Sequence, residues 1–361
     1  MKSHKKPSWQ FCGLGRIEII RSGEPSLKRD WRSILPGLLI SLVALVIVIM
    51  FVDFDRFLAA LKLADYRFLG LGTLLALVWL VIRAMVWRTL LQDKAAYQDV
   101  FFTICEGYLI NNFVPFRLGE VARALILSRK TSLEILHIFS TIVIERALDM
   151  VMAASVLLGS MPFVVGSGRM RSAAFLTFGL VVLVLGTLYG LARYRLAAVG
   201  FYEKLSQRWG WLQKMGGKVF ASFLSGLGVL TDGRRFFSAI GWVVLNYLFS
   251  VIQYFTFLKA FFPQASLFWG FFCLGVSALG IAVPSSPGAV GVFELSLVGA
   301  LAVFQTDSSA AFAFAVTTHL LGYLTTGILG AYGLARDGNT LIGLYRSALS
   351  ALLRLRGNQQ L

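Results

Sequence analysis

The sequence predicts an all-α polytopic membrane protein, with about six full spans and two re-entrant helical hairpins in an inverted repeat. Three observations carry this reading. Hydrophobic residues make up 57% of the 361-residue chain and charged residues only 14%, far from the composition of a soluble domain. Lys and Arg are sorted by loop: eight lie in residues 1–34, eight in 193–235, four in 117–130 and four in 336–356, against one in 259–266 and none in 305–308. Finally, two apolar stretches are broken by Pro and Gly and restart on a carboxylate. One runs Asn111-Asn112-Phe113-Val114-Pro115-Phe116-Arg117-Leu118-Gly119-Glu120-Val121-Ala122-Arg123, the other Pro284-Ser285-Ser286-Pro287-Gly288-Ala289-Val290-Gly291-Val292-Phe293-Glu294. Unwound backbone in hydrocarbon must be buried in protein or line a wet cavity. Broken helices at corresponding places in two halves of a chain mark a transport site.

The net charge of +16 follows the positive-inside pattern, with contact to anionic lipid headgroups as a by-product. No aromatic-basic platform accompanies it, so nucleic acid is excluded as a partner. The sorting puts both termini in the cytoplasm and the chain in a bacterial-type inner (plasma) membrane as a multi-pass protein. Residues 1–34 read as a basic, disordered cytoplasmic N-terminus. The apolar run Leu35–Val52 is too long for the core of a signal peptide, and Asp53-Phe54-Asp55 follows it instead of a cleavage site, so it is an uncleaved first span.

A loop at 53–67 leads to a span at 68–90. Arg83 lies near its inner end, between Trp79 and Trp87, and reads as a snorkelling side chain. Residues 99–114 are apolar but short for a span. With 118–130 they form a hairpin entering from the cytoplasm. Residues 132–165 hold one or two helices, and 173–192 returns inside. The polar stretch 193–235 repeats Tyr194, Phe201, Leu205 and Trp209 at helical spacing, which suits an amphipathic cytoplasmic insert lying on the membrane. A span at 237–258 follows. Segments 267–283 and 290–304 form the second hairpin, entering from outside. The span 309–335 then leads to a basic cytoplasmic tail, 336–361. The order span–hairpin–span occurs at 68–160 and again, oppositely oriented, at 237–335. Glu120 to Glu145 is 25 residues, and Glu294 to His319 is also 25.

Glu145, Arg146 and Asp149 share one helix face. Charges at this depth cost several kcal/mol unless paired or wet. An Arg146–Asp149 pair leaves Glu145 over, available to a headgroup or a proton. Glu120 restarts a half-helix, with Arg117 and Arg123 beside it; arginine grips phosphate in two-pronged fashion. Arg117 belongs to the break itself, whereas Arg123 also suits an inner-leaflet anchor. Glu294 has no basic neighbour in sequence and needs His319, an arginine of the first hairpin, or a proton. The candidate substrate-binding set is Asn112, Arg117, Glu120, Arg123, Glu145, Arg146, Asp149, Glu294 and His319. The breaks are formed by Pro115, Gly119, Pro284, Pro287, Gly288 and Gly291.

Cys12, Cys105 and Cys273 are far apart and read as packing residues. Gly216-Gly217-Lys218 lacks the rest of a phosphate loop, there is no HExxH, and Gly70-Leu71-Gly72 sits in a span. No catalytic residue, metal site or cofactor is expected. The rival reading is a membrane enzyme: Asp53-Phe54-Asp55 resembles the metal-binding DxD of glycosyltransferases that use lipid-linked sugars, although it also ends a helix.

The ordered motifs Asn112-x-x-Pro115-x-Arg117-x-Gly119-Glu120-x-x-Arg123, Glu145-Arg146-x-x-Asp149 and Pro284-x-x-Pro287-Gly288-x-x-Gly291-x-x-Glu294 resemble the lysylphosphatidylglycerol synthase transmembrane family. The resemblance covers about residues 35–335. It implies a flippase-like membrane domain whose paired hairpins bound a cavity for an anionic or isoprenoid-linked lipid. Membrane lipids are then the implied partners. The family's second break usually reads Pro-x-x-Pro-Gly-Gly, and Ala289 stands here in place of the last Gly, which puts close backbone approach there in question. The aminoacyl-transferase domain of full-length synthases is missing from the sequence, so a separate lipid-modifying enzyme is expected to supply the substrate.

Overall fold

A computed structural model describes residues 31–114, 117–165, 195–208, 232–282 and 285–338, with isolated positions between 179 and 194 and beyond 338. Pro115 and Pro284 of the breaks lie outside the described residues. So do residues 1–30, most of the expected span at 173–192, Trp209 with most of the insert, and most of the tail.

All elements among the described residues are helices. They are α1 Trp31–Met50, α2 Phe54–Leu63, α3 Tyr66–Leu90, α4 Tyr97–Phe113, α5 Leu118–Lys130, α6 Ile135–Val165, α7 Arg195–Arg208, α8 Gly233–Phe261, α9 Leu267–Ala282, α10 Val292–Ala302 and α11 Ser308–Arg336. A 3₁₀ turn, Pro287–Ala289, lies between α9 and α10. Among the described residues, four helices are long and apolar enough to cross a membrane: Tyr66–Leu90, Ile135–Val164, Gly233–Phe261 and Ser308–Arg336. The molecule is a multi-pass membrane protein. Leu42, Val43, Val46 and Ile49 of α1 are exposed, as suits a helix facing lipid.

One element differs from the sequence reading. The expected loop at 53–67 contains α2. Asp53 is its N-cap, accepting from the N–H groups of Asp55 and Arg56, and Phe57 packs against Phe312 of α11. Residues 135–165 form one helix, with Pro162 close to its C-terminal end, where few backbone bonds remain to be lost.

The helix pairings repeat. Helices α3, α4, α5 and α6 form one set; α8, α9, α10 and α11 form the other. In each set the first helix packs on the second, the second on the third and the third on the fourth. Between sets, α3 packs on α8, α6 on α9, and α11 on α4. The last two are the same contact with the sets exchanged. Apolar burial drives little association in lipid, so close packing of small residues and polar contacts must hold these seams. Gly275 of α9 lies against the backbone of Leu157 on α6, and Gly330 of α11 lies against the Cys105 carbonyl on α4. Asn246 of α8 donates to the Trp79 carbonyl of α3 at 3.2 Å. Trp87, Phe257 and Phe314 are fully buried, and Cys105 and Cys273 are buried thiols that serve as packing.

Contacts between chain ends sort the bundle into two ends. Asp53 donates its N–H to Ser309, Ser308 donates to the Phe51 carbonyl, and Asp65 donates its N–H to the Ala260 carbonyl. At the other end Lys130 meets Asp337, and Arg336 lies 3.9 Å from Asp99. The α4–α5 pair therefore leaves and returns to the Arg336 end, and α9–α10 does the same at the Asp307 end. At about 1.5 Å per residue, none of these four helices reaches the roughly 30 Å of a hydrocarbon core.

Candidate functional site

The two helix breaks meet inside the bundle. Both restart on a residue with positive φ, Arg117 at 53° and Gly291 at 86°. Both place a carboxylate in the first turn of the new helix, Glu120 on α5 and Glu294 on α10. Glycine suits such a conformation; arginine adopts it only at a cost of about 1 kcal/mol or more. Asn111 holds the first restart by accepting the Gly119 N–H at 2.8 Å. Gly119 lies directly on the Gly107 carbonyl of α4, so no larger residue fits there. In the second break, Gly288 has φ 66°, and a Cβ on it would collide with the Tyr323 hydroxyl. Ala289 also takes a left-handed conformation, φ 60°. The substitution that stands out in the second motif thus sits where glycine would be relaxed, and the chain accommodates the methyl group in a buried position.

Arg117 joins the breaks by donating to the Ile281 carbonyl of α9 at 2.6 Å. Asn112 donates to Thr326 of α11 at 3.3 Å. Between the breaks is a cavity of about 460 Å³, lined by Tyr108, Asn111, Asn112, Arg117, Glu120, Arg146, Ser285, Ser286, Gly288, Ala289, His319, Tyr323 and neighbouring apolar residues. A second cavity of about 310 Å³ shares Tyr108, Asn112, Ile281, His319 and Tyr323 with it. Its other walls are mostly apolar, including Ala76, Trp79, Leu80, Leu274, Ala278 and Phe293. A polar chamber thus adjoins an apolar one.

Behind the polar chamber is a buried ion network. Glu145 is 1% exposed and meets three guanidiniums: Arg83, Arg123 at 2.9 Å and Arg146 at 3.0 Å. Arg83 also grips Asp149 through two bonds of 2.7 and 2.6 Å. Arg146 lies 3.1 Å from Asp149 and 3.8 Å from Glu120. Arg123 stacks over Trp87, its guanidinium carbon 4.0 Å from the ring centroid.

This geometry corrects three expectations. Arg83 does not snorkel; it is 3% exposed and anchors the network, because two carboxylates on α6 face it. Glu145 is not left over, since three arginines surround it. Arg123 is no leaflet anchor: it is buried against Glu145 and Trp87 and does not line the cavity. Of the candidate set, Asn112, Arg117, Glu120, Arg146 and His319 line the chamber; Glu145 and Asp149 stand behind Arg146, and Glu294 stands behind His319. Tyr108, Asn111, Ser285, Ser286 and Tyr323 were not singled out from sequence. Asn111 and the two serines lay within the quoted motifs and could have been; the tyrosines sit in ordinary apolar helices and carried no signal.

The second hairpin has its own polar cluster. Glu294 accepts the Gly291 N–H at 2.6 Å through Oε2, capping its own helix. Its Oε1 lies 2.6 Å from His319 Nδ1. His319 Nε2 is 3.0 Å from the Gly288 carbonyl, to which Tyr323 also donates at 2.6 Å. Ser41 of α1 accepts the Ser286 N–H at 2.9 Å, bracing the break from the lipid side. Among the described residues no cluster of His, Cys, Asp and Glu has the form of a metal site.

Comparison with known proteins follows the same outline. The family described as "Lysylphosphatidylglycerol synthase TM region" matches residues 34–330. The chain is similar to "Glycosyltransferase AglD" of Haloferax volcanii, 22% identical over 90% of this chain and 60% of that protein. It therefore spans about 60% of that relative's length. It is also similar to two proteins of Methanocaldococcus jannaschii. "UPF0104 membrane protein MJ1595" is 23% identical over 81% of this chain and 91% of its own length. "UPF0104 membrane protein MJ1078" is 28% identical over 62% and 91% respectively. No solved structure matches.

Proposed function

Since this chain belongs to the lysylphosphatidylglycerol synthase TM region family, we propose that it moves an anionic or isoprenoid-linked lipid between the leaflets of an inner (plasma) membrane. One observation carries the reading. Among the described residues, Arg83, Arg117, Arg123 and Arg146 pair with the carboxylates of Glu120, Glu145 and Asp149 alone, in one connected network. A guanidinium is in surplus, and Arg117 and Arg146 present it to the polar chamber. Arginine does not deprotonate in proteins, so the chamber favours an anion. The adjoining apolar cavity suits the first segment of a lipid chain. The phosphate would sit against Arg117, Arg146 and the serines of the second break, while the tails stay in lipid.

In this reading α4–α5 and α9–α10 are re-entrant hairpins of an inverted repeat, with about six full spans and both termini cytoplasmic. The repeated helix pairings and the matching first-turn carboxylates support it. The partners are membrane lipids and a separate enzyme that makes the transported lipid. A membrane transferase is the second reading, favoured by the name of the Haloferax volcanii relative and by Asp53-Phe54-Asp55.

The test is a dithionite-quenching assay on purified protein in vesicles, with a fluorescent phosphatidylglycerol and an isoprenoid phosphate as probes. Losing one charged hydrogen bond, worth about 1.5–3 kcal/mol, should slow movement at least about tenfold in Arg117→Gln. Arg67→Gln, at the exposed start of α3, should move lipid at the wild-type rate. Equal rates in protein-free vesicles and in vesicles carrying the wild type, for both probes, would end the transport reading.

A further inference from the structure

Glu294 and His319 stand apart from the arginine network and can be assigned protons by elimination. The Gly288 carbonyl can only accept, and Tyr323 already donates to it. His319 Nε2 faces the same oxygen at 3.0 Å, so Nε2 carries a hydrogen. The other ring nitrogen, Nδ1, faces Glu294 Oε1 at 2.6 Å. Two acceptors cannot sit that close. One proton therefore lies between them, held either as imidazolium and carboxylate or as neutral imidazole and carboxylic acid. The pair is electrically neutral in both forms, which suits side chains only 13% and 7% exposed.

We propose that Glu294 and His319 form a single-proton binding site that latches the second helix break to α11. With the proton bound, the imidazole bridges the Glu294 carboxylate, which caps α10, and the Gly288 carbonyl at the tip of the break. Release of the proton to water in the chamber leaves a carboxylate facing a lone pair. The ring must then turn away from Glu294 or from Gly288, so the second hairpin loses one of its three hydrogen bonds to His319 and Tyr323 of α11, and the break is held less tightly. The site gains or loses one proton and one unit of charge per cycle.

The surroundings fit this role. His319 lines the polar chamber, so a proton has a route that does not cross packed core. The ionisable neighbours on the shared cavity walls are Tyr108 of α4, Arg117 at the first break, Glu120 of α5, Arg146 of α6, Tyr254 of α8 and Tyr323 of α11. α9 and the rest of α10 contain no charged residue, nor does the part of α1 around Ser41. Arg117 and Arg146 repel a proton on the pair, and an anion bound to them would relieve that repulsion. Anion entry and proton retention therefore favour one another. That coupling to transport rests on the function proposed above; the proton site does not.

The test uses the full chain in bilayers, with ¹⁵N-histidine and ¹³C-glutamate labels read by solid-state NMR. The chain has only three histidines, so His319→Gln assigns the ring by difference. Across about pH 4 to 10, the His319 Nδ1 and Glu294 carboxyl signals should move together in one step while Nε2 stays protonated. Hydrogen exchange across residues 285–294 should rise about tenfold above that step, and it should be high at every pH in His319→Gln. A His319 ring that titrates while the Glu294 carboxyl stays fixed would overturn the proposal, as would the absence of any step. If Glu294→Gln or His319→Gln does not fold, the wild-type titration and exchange carry the test alone. None of these readouts needs lipid movement. An intact step in a protein that moves no lipid would remove the transport reading and leave the proton site standing.

Discussion

Arg83 on α3 and Asp149 on α6 are joined by two hydrogen bonds of 2.7 and 2.6 Å. This two-pronged contact locks the first long helix to the one that carries Glu145 and Arg146. Glu145, fully buried, shares the same guanidinium. Removing Arg83 would leave two acidic groups short of charge in a largely buried site. Arg83→Met should cost about 3–5 kcal/mol. Arg83→Lys keeps the charge and loses the fork, so it should cost less, on the order of 1–2 kcal/mol. Reversible unfolding in mixed micelles would rank the two. Equal, negligible losses for both would show that the network contributes nothing to stability.

Ala289 gives a cleaner test of backbone strain. A left-handed alanine costs about 1–2 kcal/mol, and glycine gives back about 0.4–1 kcal/mol of that through the unfolded chain. Ala289→Gly should therefore stabilise the protein by roughly 0.5–1 kcal/mol. Ala300→Gly, in the buried last turn of α10, should destabilise by about 1 kcal/mol. If both substitutions destabilise equally, the left-handed turn at 289 is not present in solution.

These features were unequally visible in the sequence. The breaks were legible because Pro and Gly inside apolar runs have few other uses. The Glu294–His319 pair was legible as one of the alternatives for an isolated carboxylate, and the 25-residue spacing set it beside Glu120 and Glu145. The structure shows that the spacings are not equivalent in contact. Glu294 meets its partner directly, whereas Glu120 reaches Glu145 only through Arg146. Arg83 was misread because the tryptophans on either side of it look like an interface belt. Its partners are more than 60 residues away, and no local pattern reports a contact of that kind. The α2 helix was missed for a different reason: its amphipathic pattern runs for only ten residues between two spans, and Asp53 reads equally as a stop for α1.

Asp53 and Asp55 separate transporter from enzyme. Asp53 caps α2 and lies 3.7 Å from Arg56, and asparagine caps a helix about as well as aspartate. Asp53→Asn with Asp55→Asn should therefore change stability by less than about 0.5 kcal/mol. It should also leave lipid movement within about twofold of the wild-type rate. Loss of activity in this folded double variant, together with sugar transfer that depends on a divalent ion, would decide for the transferase.

The arrangement of the two hairpins makes a topological prediction. Lys130 and Asp337 meet at one end of the bundle, as do Asp99 and Arg336; Asp53, Asp65 and Asp307 cluster at the other through Ser309, Ala260 and Arg56. The first end also carries Arg88, Lys94, Arg129 and Lys130. By the positive-inside rule this end should be the cytoplasmic one. A reporter after Leu361 and one inserted near residue 210 should both read cytoplasmic, and one within 305–308 should read external. A single cysteine at Lys94, in a chain lacking Cys12, Cys105 and Cys273, should be labelled only from the inside. One at Lys62 should be labelled only from the outside. The two positions bracket α3, so the pair tests whether that helix crosses fully. Labelling of both from one side would mean that α3 does not cross. The proposed opposed hairpins would then lose their frame, because α4 packs on α3 and α9 packs on α8. Opposite-sided labelling, with an external reporter at 305–308, would place the two breaks between the leaflets, where a polar chamber is tolerable only beside water, ions or protein partners.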